Sequence, residues 1–178
     1  MVRVWDPLVR IGHWLLVTTV AAGWFSRSGW GVWHEVIGYG ALGVVGARIL
    51  WGFTGSSHAR FVGFVASPAA TLRYAHQVLA RSEPRFEGHN PLGAWMVIAL
   101  LAAVILVGLS GWLYKTDRFW GVPWVERLHG TLADALLILI ALHIGGVLYE
   151  SLRHRENLIA SMIHGRKRPE PSAAGEGI

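Results

Sequence analysis

Four apolar runs, at residues 8–25, 36–53, 92–114 and 128–149, decide what this chain can fold into. Each approaches or reaches the roughly 20 residues a helix needs to cross a hydrocarbon layer about 30 Å thick. With 53% hydrophobic and only 15% charged residues in a chain of 178, water cannot be the main solvent for this surface. The sequence therefore predicts an all-α fold. It is an integral membrane four-helix bundle running up-down-up-down, with helices over about 8–26, 33–53, 92–114 and 126–150. One membrane domain covers residues 1–168, and the Pro-, Ser-, Gly- and Glu-containing stretch 169–178 is expected to be a disordered tail. A cleaved secretory signal competes for the first run, because Arg3 and Arg10 precede an apolar stretch ending in Ala21, Ala22 and Gly23. His13 argues against it, since nothing in a signal peptide would offset the cost of burying an imidazole.

Local signals place the connections. Asp6-Pro7 reads as a helix start. The link at 26–31 is short, so the first two helices are antiparallel neighbours. Trp24, Trp30 and Trp33, with Trp112, Trp120 and Trp124, mark an aromatic belt at that end of the bundle. The connection at 56–91 is long. Within it Ser67-Pro68 opens a short amphipathic helix to about Arg81, with Leu72, Ala75, Val78 and Leu79 on a face suited to the membrane interface.

The formal charge of +5 is distributed by topology. If both termini are cytoplasmic, that side carries Arg3, Arg10, Arg48, Arg60, Arg73, Arg81, Arg85, Arg153, Arg155, Arg166, Lys167 and Arg168. The other side has Arg27, Lys115, Arg118 and Arg127, so the division is twelve against four. This bias predicts a multi-pass protein of the bacterial inner (plasma) membrane with both termini and the long connection cytoplasmic. Its basic surface is matched to the anionic headgroups of the lipid bilayer, not to nucleic acid. The absence of cysteine excludes disulfides, iron–sulfur clusters, thiolate zinc sites and covalent c-type haem.

Of nine histidines, His58, His76, His89, His154 and His164 fall in connections or the tail, where a solvated imidazole needs no special cause. His13, His34, His129 and His143 lie in or at the apolar runs. The interval from His129 to His143 is fourteen residues, which turns about 1400° and rises about 21 Å. Both rings therefore point nearly the same way, one near each membrane face. His13 precedes the far end of its helix by thirteen residues, whereas His34 follows the turn directly. The count pairs His13 with His143 at the cytoplasmic level and His34 with His129 at the outer level. Two neutral imidazoles facing across a bundle can hold the iron of a haem from both sides, giving two b-type haems. Interhelical hydrogen bonding, worth about 1 kcal/mol per histidine, is the competing use. Four histidines at two matched depths favour haem.

Arg48 follows His34 by fourteen residues and so falls at the cytoplasmic level on nearly the same face. It is a candidate partner for a haem propionate, or a cation reaching to headgroups. Lys115, Arg118 and Arg127 are weaker candidates on the outer side. Gly12, Gly38, Gly108 and Gly111 either leave room for a macrocycle or serve ordinary helix packing. Asp134, within an apolar run, is a candidate for orienting a ligand or moving a proton.

Several segments carry a family resemblance. They are Val4-Trp5-Asp6-Pro7, Gly12-His13-Trp14, His34 with Gly38, and Leu50-Trp51-Gly52. Leu128-His129-Gly130, Leu142-His143-Ile144-Gly145-Gly146-Val147, Glu150-Ser151 and His154-Arg155-Glu156-Asn157-Leu158 complete the set. Together they resemble the bacterial cytochrome b561 family, which is itself similar to the b-type subunits of membrane-bound nickel–iron hydrogenases. The resemblance implies a di-haem electron carrier with His13, His34, His129 and His143 as axial ligands, exchanging electrons with quinone or quinol. A periplasmic cytochrome or dehydrogenase subunit is the implied partner. Two alternatives fit the same pattern, a superoxide-oxidising quinone reductase steered by the basic outer residues and a cytochrome subunit of a hydrogenase or dehydrogenase complex. A haem-free scaffold or transporter would need broken helices, inverted repeats or further buried charges, and only Asp134 and Arg48 point that way.

Overall fold

A computed structural model describes residues 1–29 and 31–169, so Trp30 of the expected belt and the tail from 170 lie outside the described residues. The elements run β1 (Val2–Arg3), α1 (Pro7–Ser26), α2 (Val32–Thr54), α3 (Phe61–Phe64) and α4 (Pro68–Leu79). They continue with α5 (Pro91–Tyr114), α6 (Pro123–Arg153), α7 (Leu158–His164) and β2 (Arg166–Lys167). Helices α1, α2, α5 and α6 are each long and apolar enough to cross a membrane, as the four apolar runs require.

Helix starts follow side-chain chemistry. Asp6 Oδ1 accepts from the Val9 amide at 2.9 Å, and Asn90 Oδ1 accepts from Gly93 at 2.7 Å. A proline occupies the first turn of α1, α4, α5 and α6, where its missing amide proton has no partner to lose. Between α1 and α2 the chain reverses through Gly31, whose φ of 45° lies in the left-handed region that favours glycine. Helix α6 is longer than the sequence suggested. Its 31 residues span about 46 Å, well beyond a hydrocarbon core of about 30 Å.

Helix α1 packs on α2, α2 on α5 and α5 on α6. The central core is Ala41, Val45, Leu101, Val104 and Leu136, with Leu16 and Val20 packed against it. Gly108 permits the α2–α5 approach, because a Cβ there would stand 2.6 Å from Leu42 Cγ. Among the described residues, α6 makes only sparse backbone approaches to α1 and α2. Space is therefore left on the side of α6 that faces those two helices.

The N-terminus and the last described residues lie at one end of the bundle, here the near end, because β1 pairs antiparallel with β2 and Val2 opposes Lys167. The long connection is strapped across the same end. Glu83 accepts from Arg153 Nε at 2.8 Å and from the Tyr149 hydroxyl at 3.0 Å. Glu150 accepts from the Tyr74 hydroxyl at 2.9 Å and from Asn90 Nδ2 at 2.7 Å, and Glu156 pairs with Arg85 at 3.0 Å. Helix α4 turns Tyr74 into the protein and leaves Leu72 and Leu79 outward. Helix α7 forms in a stretch that composition marks only as basic tail; Asn157 caps its start and Gly165, at φ 80°, ends it.

Candidate cofactor site between paired histidines

The chain folds so that two imidazole pairs face each other across the space beside α6. His34 and His129 stand with ring centroids 6.1 Å apart and planes at 87°. His13 and His143 stand 6.4 Å apart at 54°. These are the partners and depths that the helical counting predicts. A metal–imidazole bond of about 2 Å, plus about 1.1 Å from nitrogen to ring centre, puts two rings sharing one metal about 6 Å apart. Both separations meet that requirement, and both are too wide for a hydrogen bond running straight between the two rings.

The pairs differ in their surroundings. At the far end, Ser26 Oγ lies 3.0 Å from His34 Nδ1, and Ser110 Oγ lies 3.1 Å from His129 Nδ1. The Val107 carbonyl lies 3.0 Å from the same His129 nitrogen. Sequence reading did not single out either serine. These contacts hold Nδ1 of each ring and leave Nε2 for a metal. A cavity of about 450 Å³ opens here, lined by His34, His129, Gly38, Gly130, Val104 and Asp134 among others. A Cβ at Gly38 or Gly130 would meet nothing within 4 Å, as expected of backbone bordering a flat prosthetic group. Gly108 and Gly111 line the cavity too, and both sit in close packing contacts. The place of a Gly111 Cβ lies 3.0 Å from His129 Cε1, so this glycine lets the imidazole nest against α5. Gly12 borders open space near His13 but does not line this cavity. Asp134 borders it with an exposed carboxylate.

At the near end, the Trp14 ring meets His13 edge-on at 5.2 Å. Shielded polar atoms without a hydrogen-bond partner gather at this level, including Arg10 Nε, His13 Nδ1, Arg48 Nη1 and His89 Nδ1. Arg48 uses Nη2 on the Ala59 carbonyl at 3.2 Å and lies 5.1 Å from the Phe61 ring centre, so one side of its guanidinium remains able to take a carboxylate. His89 departs from the solvated role expected of it. Its ring is held between Trp5 at 4.8 Å and Phe64 at 4.5 Å. Desolvation, reinforced by the neighbouring Arg48 and Lys167, pushes it down to about 3, so the ring is neutral. His154 is likewise engaged, with Nε2 lying 3.3 Å from Glu150. His76 and His164 are exposed, as expected.

The outer cations are less free than their sequence positions suggest. Lys115 is tied to Glu35 at 2.6 Å and lies 4.6 Å from the Trp120 ring centre. Arg27 stacks on Trp24 at 3.7 Å, and Arg118 lies 5.6 Å from the Phe119 ring centre. Among the described residues, no group of three or more His, Cys, Asp or Glu side chains converges as a conventional metal site would need. The far imidazole pair has an apolar cavity beside it.

Residues 4–165 match the model of the family described as prokaryotic cytochrome b561. The chain belongs to that family. It is 24% identical to the "Probable Ni/Fe-hydrogenase B-type cytochrome subunit" of Rhizobium leguminosarum bv. viciae, an alignment covering 93% of this chain and 88% of the relative. The protein of the same description from Rhodobacter capsulatus is 28% identical, with 93% and 81% covered. That of Bradyrhizobium diazoefficiens is 25% identical, with 93% and 85% covered. No solved structure matches the chain significantly. This cytochrome b561 family member is thus a multi-pass membrane b-type cytochrome whose chemistry is electron transfer.

Proposed function

We propose that this cytochrome holds two b haems, one between His34 and His129 and one between His13 and His143, and passes electrons between the two faces of the bacterial inner membrane. The observation that carries the proposal is the pair of ring separations, 6.1 and 6.4 Å, at two depths set by one helix. A b haem in such a site supplies a reversible one-electron change at iron. The chain supplies position and insulation. Helix α6 gives one imidazole to each site, while Ala41, Val45, Val104 and Leu136 keep water from the middle of the bundle. At the near end Arg48 Nη1 and His89 Nδ1 are the donors best placed to receive a propionate, an anion that would reverse the balance keeping His89 neutral. The division of basic residues, twelve against four, supports a cytoplasmic near end and cytoplasmic termini, against anionic headgroups.

The physiological role most in keeping with the named relatives is that of the membrane subunit of a nickel–iron hydrogenase or a similar periplasmic dehydrogenase, with the quinone pool as acceptor. Superoxide oxidation at the far face is less favoured, because Lys115 is neutralised by Glu35 and does not add to an open cationic funnel. The test has two steps. A pyridine haemochrome assay on the purified protein is expected to give two b haems per chain, and finding none refutes the proposal. Gentle purification from native membranes is then expected to retain a partner that reduces the haems from hydrogen, with quinone reoxidising them. Full haem content with no such partner, together with superoxide-driven quinone turnover by the isolated chain, would transfer the role to the alternative.

A further inference from the structure

Ser26 and Ser110 stand on different helices, α1 and α5, yet make the same contact. Each hydroxyl donates its single proton to its own helix, Ser26 to the Gly23 carbonyl at 3.1 Å and Ser110 to the Val107 carbonyl at 2.9 Å. What remains on each Oγ is acceptor capacity. That capacity faces an imidazole Nδ1, at 3.0 Å for His34 and 3.1 Å for His129; with the hydroxyl proton on the helix carbonyl the nitrogen is the donor, and at His129 the Val107 carbonyl, which only accepts, requires it. Back-bonding by a hydroxyl to its own helix is common here, since Thr18, Thr19 and Thr54 do it without touching a histidine. Ser26 and Ser110 differ in being buried, at 2% and 5% exposure, and in meeting the two rings of one pair. The near pair has no counterpart. His13 Nδ1 is shielded and unpartnered, and the His143 ring makes no hydrogen bond among the described residues.

We propose that Ser26 and Ser110 are positioning residues that set the redox potential of the far haem separately from the near one, by accepting the Nδ1 protons of His34 and His129. This rests on the haem reading above and goes beyond it. An imidazole that donates from Nδ1 is fixed in the tautomer whose Nε2 carries the free lone pair, and it becomes the more basic ligand. A more basic ligand stabilises the oxidised metal, so these contacts hold the far potential down; second-shell hydrogen bonding is one of the means by which a protein tunes a haem. The two serines are not equivalent. Ser26 is the only acceptor for His34 Nδ1 among the described residues, whereas His129 Nδ1 also has the Val107 carbonyl at 3.0 Å. Loss of Ser26 therefore has the larger effect.

The experiment is a spectroscopic redox titration of the purified holoprotein in four forms, wild type, Ser26→Thr, Ser26→Val and Ser110→Ala. Thr and Val have the same branched shape and differ in whether the acceptor oxygen is present. Ser26→Val is expected to raise one of the two midpoint potentials, that of the haem which His34→Ala removes, and to leave the other in place. Ser26→Thr stays at the wild-type value, and Ser110→Ala shifts the same haem upward by less. Should Ser26→Val fail to fold, Ser26→Ala against wild type removes the same oxygen without added bulk. At full haem content, an unchanged far potential, an equal shift in the Thr and Val forms, or movement of the other haem overturns the proposal. Absence of haem from the wild type itself would instead overturn the reading on which it rests.

Discussion

Replacing histidines singly and in pairs gives the most direct test of which rings share a cofactor. His129 and His143 are fourteen residues apart on α6, a rise of about 21 Å, so removing one leaves the geometry of the other pair intact. Each single variant, His13→Ala, His34→Ala, His129→Ala or His143→Ala, is expected to lower the haem content from two per chain to about one. This is worked from two independent two-ligand sites. The double variants carry the discrimination. His34→Ala with His129→Ala removes both halves of one site and leaves about one haem, no worse than either single change. His34→Ala with His143→Ala breaks both sites and leaves about none. Two changes in one pair are redundant and two across pairs are cumulative, which is the signature of a shared ligand in a mutant cycle. The assay is pyridine haemochrome on monodisperse protein, with a redox titration to identify the surviving haem. If His34→Ala and His143→Ala removed the same haem, or if the His34/His129 double variant lost both, the pairing would be wrong.

Three other outcomes follow from particular contacts. Gly52→Ala places a methyl group where the Phe61 ring now lies; overpacking of this kind costs about 1–3 kcal/mol, read as a Tm lowered by several degrees. Because Phe61 neighbours Arg48, the near haem's spectrum should change with it while the far haem's does not. Glu83 and Glu156 both have carboxyl groups that burial raises but that hydrogen bonds and the cations Arg153, Arg85 and Lys167 bring, on balance, below their ordinary value. A depressed carboxylate stabilises the folded form above its unfolded value, near 4.5, and that contribution is lost as pH falls through the folded value. Hydrogen exchange across residues 81–90 and 150–168 is therefore expected to accelerate below about pH 4.5, while α5 stays protected. Glu35→Gln, which releases Lys115 from a pair exposed by about a third on each side, is expected to cost no more than about 1 kcal/mol and to leave haem content unchanged; loss of the far haem would show that the pair does more.

The histidine pairs were legible in the sequence because a transmembrane helix converts residue number into depth and angle with little freedom. Arg48 was placed at its level by the same fourteen-residue arithmetic. The serines were not legible. A hydroxyl in an apolar helix usually bonds to its own backbone, and Ser26 and Ser110 do that too; only the assembled bundle shows the second lone pair meeting an imidazole. His89 was missed for a related reason. It lies in a connection, and the Trp5 and Phe64 rings that enclose it come from distant parts of the chain. The β1–β2 pair escaped notice because two-residue strands have no period to detect. Lys115 looked free because Glu35, its partner, begins a different helix.

The connectivity itself explains why one helix serves both sites. His13 and His34 each fall early in their helices, and α1 and α2 are antiparallel neighbours, so these two rings must lie at opposite ends of the bundle. No single depth can use both. The opposing imidazoles then come from a helix that carries two histidines at nearly one angle, separated by most of the membrane thickness, and α6 alone among the spanning helices does so. Helix α5 brings no histidine but completes the far site from behind. Gly111 gives the His129 ring its place, Ser110 and Val107 hold its nitrogen, and Gly108 admits Leu42 so that α2 stays close. Toward the other pair, the N-terminal segment and the long connection close instead around His89, through Trp5 and Phe64. Two chemically identical imidazole pairs thus sit in unlike settings, one contacted by hydroxyls inside the bundle and one bordered by unpartnered polar atoms. On the proposed di-haem reading, that difference would hold the two haems at different potentials, the outcome that the serine variants test.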